Sequence, residues 1–220
     1  VTTKNPKLTR AAGASLVLAP IGVLLGWAAM RLGGEGGGEP YWTIAHLIWL
    51  PGYLMLVVGF AGIHRTIGAR SLAGRLLAGF ALAFTLIGGA AVTAQMIVDL
   101  WNGFATATPA EMSAHSDQVT ANPLVEAAVY SVVPSLLFLG LVILSIQAAA
   151  LRRVPALTAV LVTAAIAIGA GEAAVELPYS GNMLLTAIVL WIALAPVGRR
   201  MLRQDEPASP ETNAAPATVR

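Results

Sequence analysis

Apolar positions in this chain gather into six long runs: Ala11–Leu32, Thr43–His64, Leu72–Trp101, Pro123–Leu151, Ala156–Leu177 and Met183–Pro196. Within each run apolar residues fall on every face instead of alternating, which predicts helices in an apolar surrounding and argues against barrel strands. The first five runs reach the roughly 20 residues that cross about 30 Å of hydrocarbon at about 1.5 Å per residue. The sixth does so if it continues to about Met201, with Arg199 and Arg200 snorkelling to the interface. The expected fold is all-α: a polytopic membrane helix bundle with six transmembrane helices over residues 11–201. Residues 1–10 form a short leading segment. The tail, 202–220, has too little apolar surface to fold and is expected to be disordered.

Composition points the same way. The chain is 57% hydrophobic and 11% charged, with a mean hydropathy of +0.75, against about 25% charged residues in soluble domains. Lys4, Lys7 and Arg10 precede the first run as they would in a signal peptide. That run is longer than a typical apolar core of such peptides and lacks a small-x-small cleavage site, so an uncleaved helix is expected.

Charge sets the orientation. Arg65, Arg70 and Arg75 lie between runs two and three, Arg152 and Arg153 between four and five, and Arg199, Arg200 and Arg203 after six. The opposite loops carry Glu35, Glu39, Glu111 and Asp117, with Arg31 the one basic residue near them. The positive-inside rule then places both termini in the cytoplasm of a multi-pass protein of the plasma membrane, the inner membrane of a bacterium. The basic residues are spread over four separate segments, so no nucleic-acid partner is implied. The expected partners are the lipid bilayer and a lipophilic small molecule, and a homo-oligomer is compatible with the sequence.

Several chemistries are excluded or unsupported. The chain has no cysteine, which removes disulfides, thiolate nucleophiles, iron–sulfur clusters and Cys-type zinc sites. HExxH and glycine-rich phosphate loops are absent. No cofactor is implied, and a metal site built from His46, Asp99, Glu172 and Glu176 would have no spacing motif behind it.

An internal repeat is suggested by Leu50-Pro51-Gly52-Tyr53 in run two and Val133-Pro134-Ser135-Leu136 in run four. The helix after each ends alike, with Gln95 and Asp99 in one and Glu172 and Glu176 in the other. Two such hairpins, helices two–three and four–five, would be related by an axis along the membrane normal. Pro51 and Pro134 should each remove a backbone bond and kink their helix.

Candidate chemistry rests on ionisable groups inside the spans, which are costly and usually face an interior cavity. Glu172 falls about 24 Å along helix five, at about 1.5 Å per residue, still within the hydrocarbon. Glu176 follows at i,i+4, and two carboxylates that close in a low dielectric should not both ionise. Asp99 and Gln95 form the matching pair on helix three, where Asp99 is expected at headgroup depth. Glu172, Asp99 and Glu176 are therefore the catalytic candidates. His46, Gln95, Glu126 and Tyr130 are candidates for binding a substrate, with Trp49 and Trp101 at its mouth. For Glu126 the helix dipole is a sufficient alternative explanation, and for the tryptophans an interfacial belt is. His115 and Asp117 are expected to be solvated.

In layout, an apolar helical bundle with intramembrane carboxylates and no aspartate-rich diphosphate motif, the chain resembles small integral-membrane isoprenoid (terpene) cyclases. No motif matches, and the six expected helices are one fewer than that family's seven. The resemblance implies acid–base chemistry on an isoprenoid-like substrate and lends no residue roles. Two other readings stand beside it: a proton-coupled small-molecule transporter, and a non-catalytic subunit, immunity or sensor protein.

Overall fold

The structure is a computed structural model that describes residues 5–34, 38–106, 108–174 and 181–203, with only the backbone of 172–174. Among these residues it is entirely helical, with α1 (Pro6–Leu32), α2 (Tyr41–Thr66) and α3 (Leu72–Ala105) leading to the shorter α4 (Pro109–Thr120). A single turn, α5 (Pro123–Val125), runs through a π-helical turn, Glu126–Tyr130, into α6 (Val132–Ala150). Helices α7 (Ala156–Ala174) and α8 (Asn182–Arg203) complete the described chain.

Five stretches are long and apolar enough to cross a membrane: α1, α2, α3, the continuous Pro123–Ala150, and α8. The shorter apolar helix is Ala156–Gly171 within α7. The sequence pattern assigns the short run to the last helix instead; α8 is longer because it continues through Arg199 and Arg200 to Arg203. The first helix also starts earlier than its apolar run, at Pro6, where the Asn5 side chain accepts from the Lys7 amide and Pro6 occupies the first turn.

The segment after α3, which has no apolar run, is a helix too. Thr108 accepts from the Glu111 amide while Glu111 reaches back to the Thr108 amide, a reciprocal cap that sets the start of α4. Met112 is buried, and α4 packs on α3 and on the turns that precede α6.

The long helices close into a ring in chain order. Helix α1 packs along α2 and α8, α3 along α2 and α6, and α7 between α6 and α8, while α2 and α6 also touch across the ring. The α3–α6 contact depends on missing side chains: a Cβ at Gly140 would stand 2.7 Å from the Ala81 carbonyl oxygen. Small residues of this kind let membrane helices approach at backbone distance.

Inside the ring, Leu16, Phe60, Leu144, Val162 and Leu194 are fully buried and belong to one apolar core. Outside it, Leu25, Phe80, Ile97, Leu139, Val160 and Ile192 are exposed. A bundle that is apolar on both its inner and outer surfaces is solvated by lipid, not water. The chain is a multi-pass helical membrane protein.

Candidate active site

Three helices each present a stripe of side chains to one cavity of about 390 Å³. Along α2, Trp42, His46, Trp49 and Tyr53 recur at i, i+4, i+7 and i+11, one face of a helix. Val92, Gln95, Met96 and Asp99 do the same on α3, and Tyr130, Ser131, Pro134, Ser135 and Phe138 line the wall from the α6 side.

The third stripe depends on a local irregularity. Pro134 has no amide hydrogen and cannot bond the Tyr130 carbonyl, so the α-helical ladder is broken there. The chain widens into the π-helical turn instead, with the Ser131 amide donating to the Glu126 carbonyl at 3.1 Å. One extra residue is thereby accommodated, and Tyr130 is turned toward α3. Such π-turns recur at functional sites.

Asp99 is the centre of the arrangement. It is 5% exposed, so its surroundings are set by protein and not by the headgroup water that its position in the run predicts. The Tyr130 hydroxyl donates to Asp99 Oδ1 at 3.1 Å. His46 Nε2 stands 3.5 Å from Asp99 Oδ2, with both side chains buried. Trp42 Nε1 donates to the backbone carbonyl of Asp99 at 2.9 Å, fixing the end of α3 against the start of α2.

The histidine's tautomer follows from its other nitrogen. His46 Nδ1 lies 2.8 Å from the Trp42 carbonyl oxygen, which can only accept, so Nδ1 carries a hydrogen. Nε2 then has a proton only in the imidazolium. For His46 and Asp99 to attract one another, one proton must lie on their shared side: imidazolium beside carboxylate, or imidazole beside carboxylic acid. The ring is fixed by Trp42, whose indole lies 4.4 Å away, and by Trp49 at 5.2 Å in an edge contact. Trp49 is itself anchored by donating to the Val23 carbonyl on α1 at 3.0 Å.

Beside this polar cavity lies a larger apolar one of about 540 Å³, lined among others by Val23, Leu56, Val142, Ile166 and Leu190. Tyr53, Ser135, Phe138 and Met183 line both. Together they form a space with a polar head near the α3 C-terminus and an apolar body inside the ring. Beyond the chamber, Leu16, Phe60, Leu144, Val162 and Leu194 each lie within two turns of a chamber-lining residue on their own helix, on the arginine-bearing side. They close that end. Among the described residues no Lys or Arg lines either cavity.

Of the residues singled out from the sequence, the fold brings together Asp99, His46, Gln95, Tyr130 and Trp49. Glu126 is not among the lining residues; its carboxylate accepts from the Ser131 hydroxyl at 3.1 Å and stays within its own turn. Trp101 faces outward, 54% exposed, with its ring tilted against that of His115 at 4.5 Å. His115 is therefore half-buried against Trp101 and not simply solvated. The Glu172 side chain and the whole of Glu176 lie outside the described residues. Trp42, weighed from the sequence as either a belt residue or part of a ligand-site mouth, lines the cavity, and Tyr53, Ser135, Phe138 and Met183 are lining residues that the sequence reading does not assign to the site. Among the described residues no group of three or more His, Asp or Glu side chains is placed to hold a metal. The chain matches no protein-family model, no curated protein and no solved structure.

Proposed function

We propose that this protein is an intramembrane enzyme that applies acid–base chemistry to a lipophilic, isoprenoid-like substrate, in the manner of a membrane terpene cyclase. The observation that carries the reading is the Asp99 carboxyl, held by Tyr130 and beside His46, facing a cavity that shares a wall with a larger apolar one. In the neutral arrangement of the pair, Asp99 bears the acidic proton. Transfer of that proton to a carbon–carbon double bond or an epoxide oxygen would leave a carboxylate stabilised by the Tyr130 hydroxyl. The resulting carbocation would lie among the π faces of Trp42, Trp49, Tyr53 and Phe138, which attract positive charge. Loss of a proton from the product, to His46 or back to Asp99, closes the cycle as a net isomerisation with no co-reactant. The absence of cationic side chains in the lining suits a substrate without a phosphate group.

The same proposal includes six spans and the hairpin repeat. Helix α7 has 19 residues, about 28 Å at about 1.5 Å per residue, and it fills its place in the ring between α6 and α8. The helices that carry Pro51 and Pro134, α2 and α6, both line the two cavities, which supports their equivalence. Glu172 is retained as a second acid, three residues along α7 from the chamber-lining Gly169.

A proton-coupled carrier is the second reading, favoured by the buried approach of His46 to Asp99. The buried apolar layer beyond the chamber opposes it, because it leaves no route to the arginine-bearing end. Purified protein in nanodiscs, given a panel of polyprenyl alcohols, epoxides and hydrocarbons, should convert one of them to an isomer of equal mass. Asp99→Asn should abolish that conversion, and Glu172→Gln tests the second acid. Conversion of no panel member would overturn the enzyme reading, and turnover surviving in Asp99→Asn would overturn Asp99 as its acid. Solute uptake into proteoliposomes that depends on a pH gradient would replace it with the carrier.

A further inference from the structure

At the opposite end of the bundle from the Asp99 site, four arginines from three chain segments surround a concavity of about 290 Å³. Arg65 lies in the last turn of α2, Arg152 and Arg153 form the α6–α7 turn, and Arg200 lies in the last turn of α8, with Ile63, Thr66, Val154, Val197 and Met201 as the floor. Among the described residues none that lines it is acidic, and none of the four arginines has an acidic partner.

The turn that presents two of these arginines is unusual. The Arg153 amide donates to the Ala148 carbonyl and the Arg152 amide to the Ala149 carbonyl, both at 2.8 Å, which is the Schellman ending of a helix. The residue at the left-handed position of that motif is ordinarily glycine. Here it is Arg152, at φ 55°, the one non-glycine residue with positive φ among those described. A side chain is kept where glycine would relieve the backbone. The Arg153 guanidinium extends across to lie against Gly68, in the loop that follows Arg65.

A general inward bias of basic residues accounts for arginines at this end. It does not account for their convergence on a concavity, or for an arginine at a position that favours glycine. We infer that Arg65, Arg152, Arg153 and Arg200 form a binding site for a phosphate-bearing anion. Guanidinium forks match phosphate oxygens in pairs, and basic pockets between membrane helices hold phospholipid headgroups. The same chemistry would accept a soluble phosphate or diphosphate.

The test uses the full chain in a neutral detergent, followed by thermal unfolding and by native mass spectrometry. Phosphatidylglycerol, cardiolipin, inorganic phosphate and pyrophosphate are each titrated, with phosphatidylcholine as the zwitterionic control. At least one anion should stabilise the wild type in a salt-sensitive way. Stabilisation by the lipids alone identifies a headgroup site, and stabilisation by the inorganic anions identifies a soluble ligand. Arg152→Gly should keep or raise the ligand-free Tm while weakening the anion by about tenfold or more, the loss of one or more charge-assisted bonds. Arg65→Gln should weaken it comparably, whereas Arg70→Gln and Arg75→Gln, outside the concavity, should not. The proposal is overturned if no anion stabilises the wild type. Equal weakening by all four substitutions, or none by Arg152→Gly, would also overturn it.

Discussion

Asp99 owes its position to three neighbours from two other chain segments, and each does a different job. Trp42 holds its backbone carbonyl, Tyr130 donates to one carboxyl oxygen, and His46 Nε2 stands 3.5 Å from the other. Replacing Tyr130 by Phe removes one donor from a buried carboxyl and leaves the shape intact. Such an unsatisfied oxygen costs about 1–3 kcal/mol, so Tyr130→Phe should lower the Tm measurably and slow turnover by about fivefold or more, since about 1.4 kcal/mol in a barrier is tenfold in rate. Thermal unfolding and the product assay read the two effects separately, and unchanged turnover would remove Tyr130 from the chemistry. At this scale the sequence shows a good deal. An acid, a histidine and a glutamine within apolar runs are conspicuous because membrane interiors penalise them. The indole of Trp42 was not legible as a clamp, because an aromatic near a helix end fits an interfacial belt equally well. Even so, Trp42, His46, Trp49 and Tyr53 share one helical face by spacing alone, and that signal was there to find.

Tyr130 reaches α3 because of the π-helical turn, and that turn is a property of the element and not of any one contact. The turn holds one residue more than an α-helix would, so deleting Ser131 should return it to α-helical pitch, with only the bond that Pro134 cannot donate still missing. Helix α6 keeps its own packing on α3 through Gly140, while the residues before the deletion rotate by about 100°, one residue of an α-helix with 3.6 per turn. Tyr130 then leaves Asp99. The deletion should preserve helicity by circular dichroism yet reproduce the turnover defect of Tyr130→Phe. Combined, the two changes should be no worse than either alone, because they remove the same bond. Additive losses would show that the turn does something else. Pro134 is a visible breaker in the sequence, and a kink is the ordinary expectation. Whether a proline kinks, widens or merely bends a helix is decided by what packs around it, so the π-turn was not readable. Helix α4 was hidden for a different reason. Hydropathy finds apolar runs and α4 has none, whereas Thr108-Pro109-Ala110-Glu111 carries the spacing of a capped helix start.

The arrangement of the whole molecule, with a polar head near the α3 C-terminus, an apolar cavity and an arginine-lined end, gives the two ends of the bundle distinct chemistry. Hydropathy and charge bias anticipate the bundle and its polarity. Ring order is not contained in them, because helices that are apolar on all faces do not reveal which neighbour each will take. The orientation proposed from charge can be tested cleanly, since the chain has no cysteine and any introduced thiol is the sole target. Ser113 on α4 belongs to the Asp99 end, and Thr66 ends α2 at the arginine end. In intact cells a membrane-impermeant maleimide should label Ser113→Cys directly and Thr66→Cys only after permeabilisation. A cysteine introduced at Asn5, before α1, should behave like Thr66→Cys, as should one at Arg203, at the end of α8. That outcome requires an even number of crossings and so includes α7 as a span. If Asn5→Cys and Arg203→Cys are labelled from opposite sides, α7 does not cross, and the ring must be read as five spans with a buried sixth helix. The Asp99 site would then still face its chamber, but Glu172 would lose its place as a second acid within the membrane.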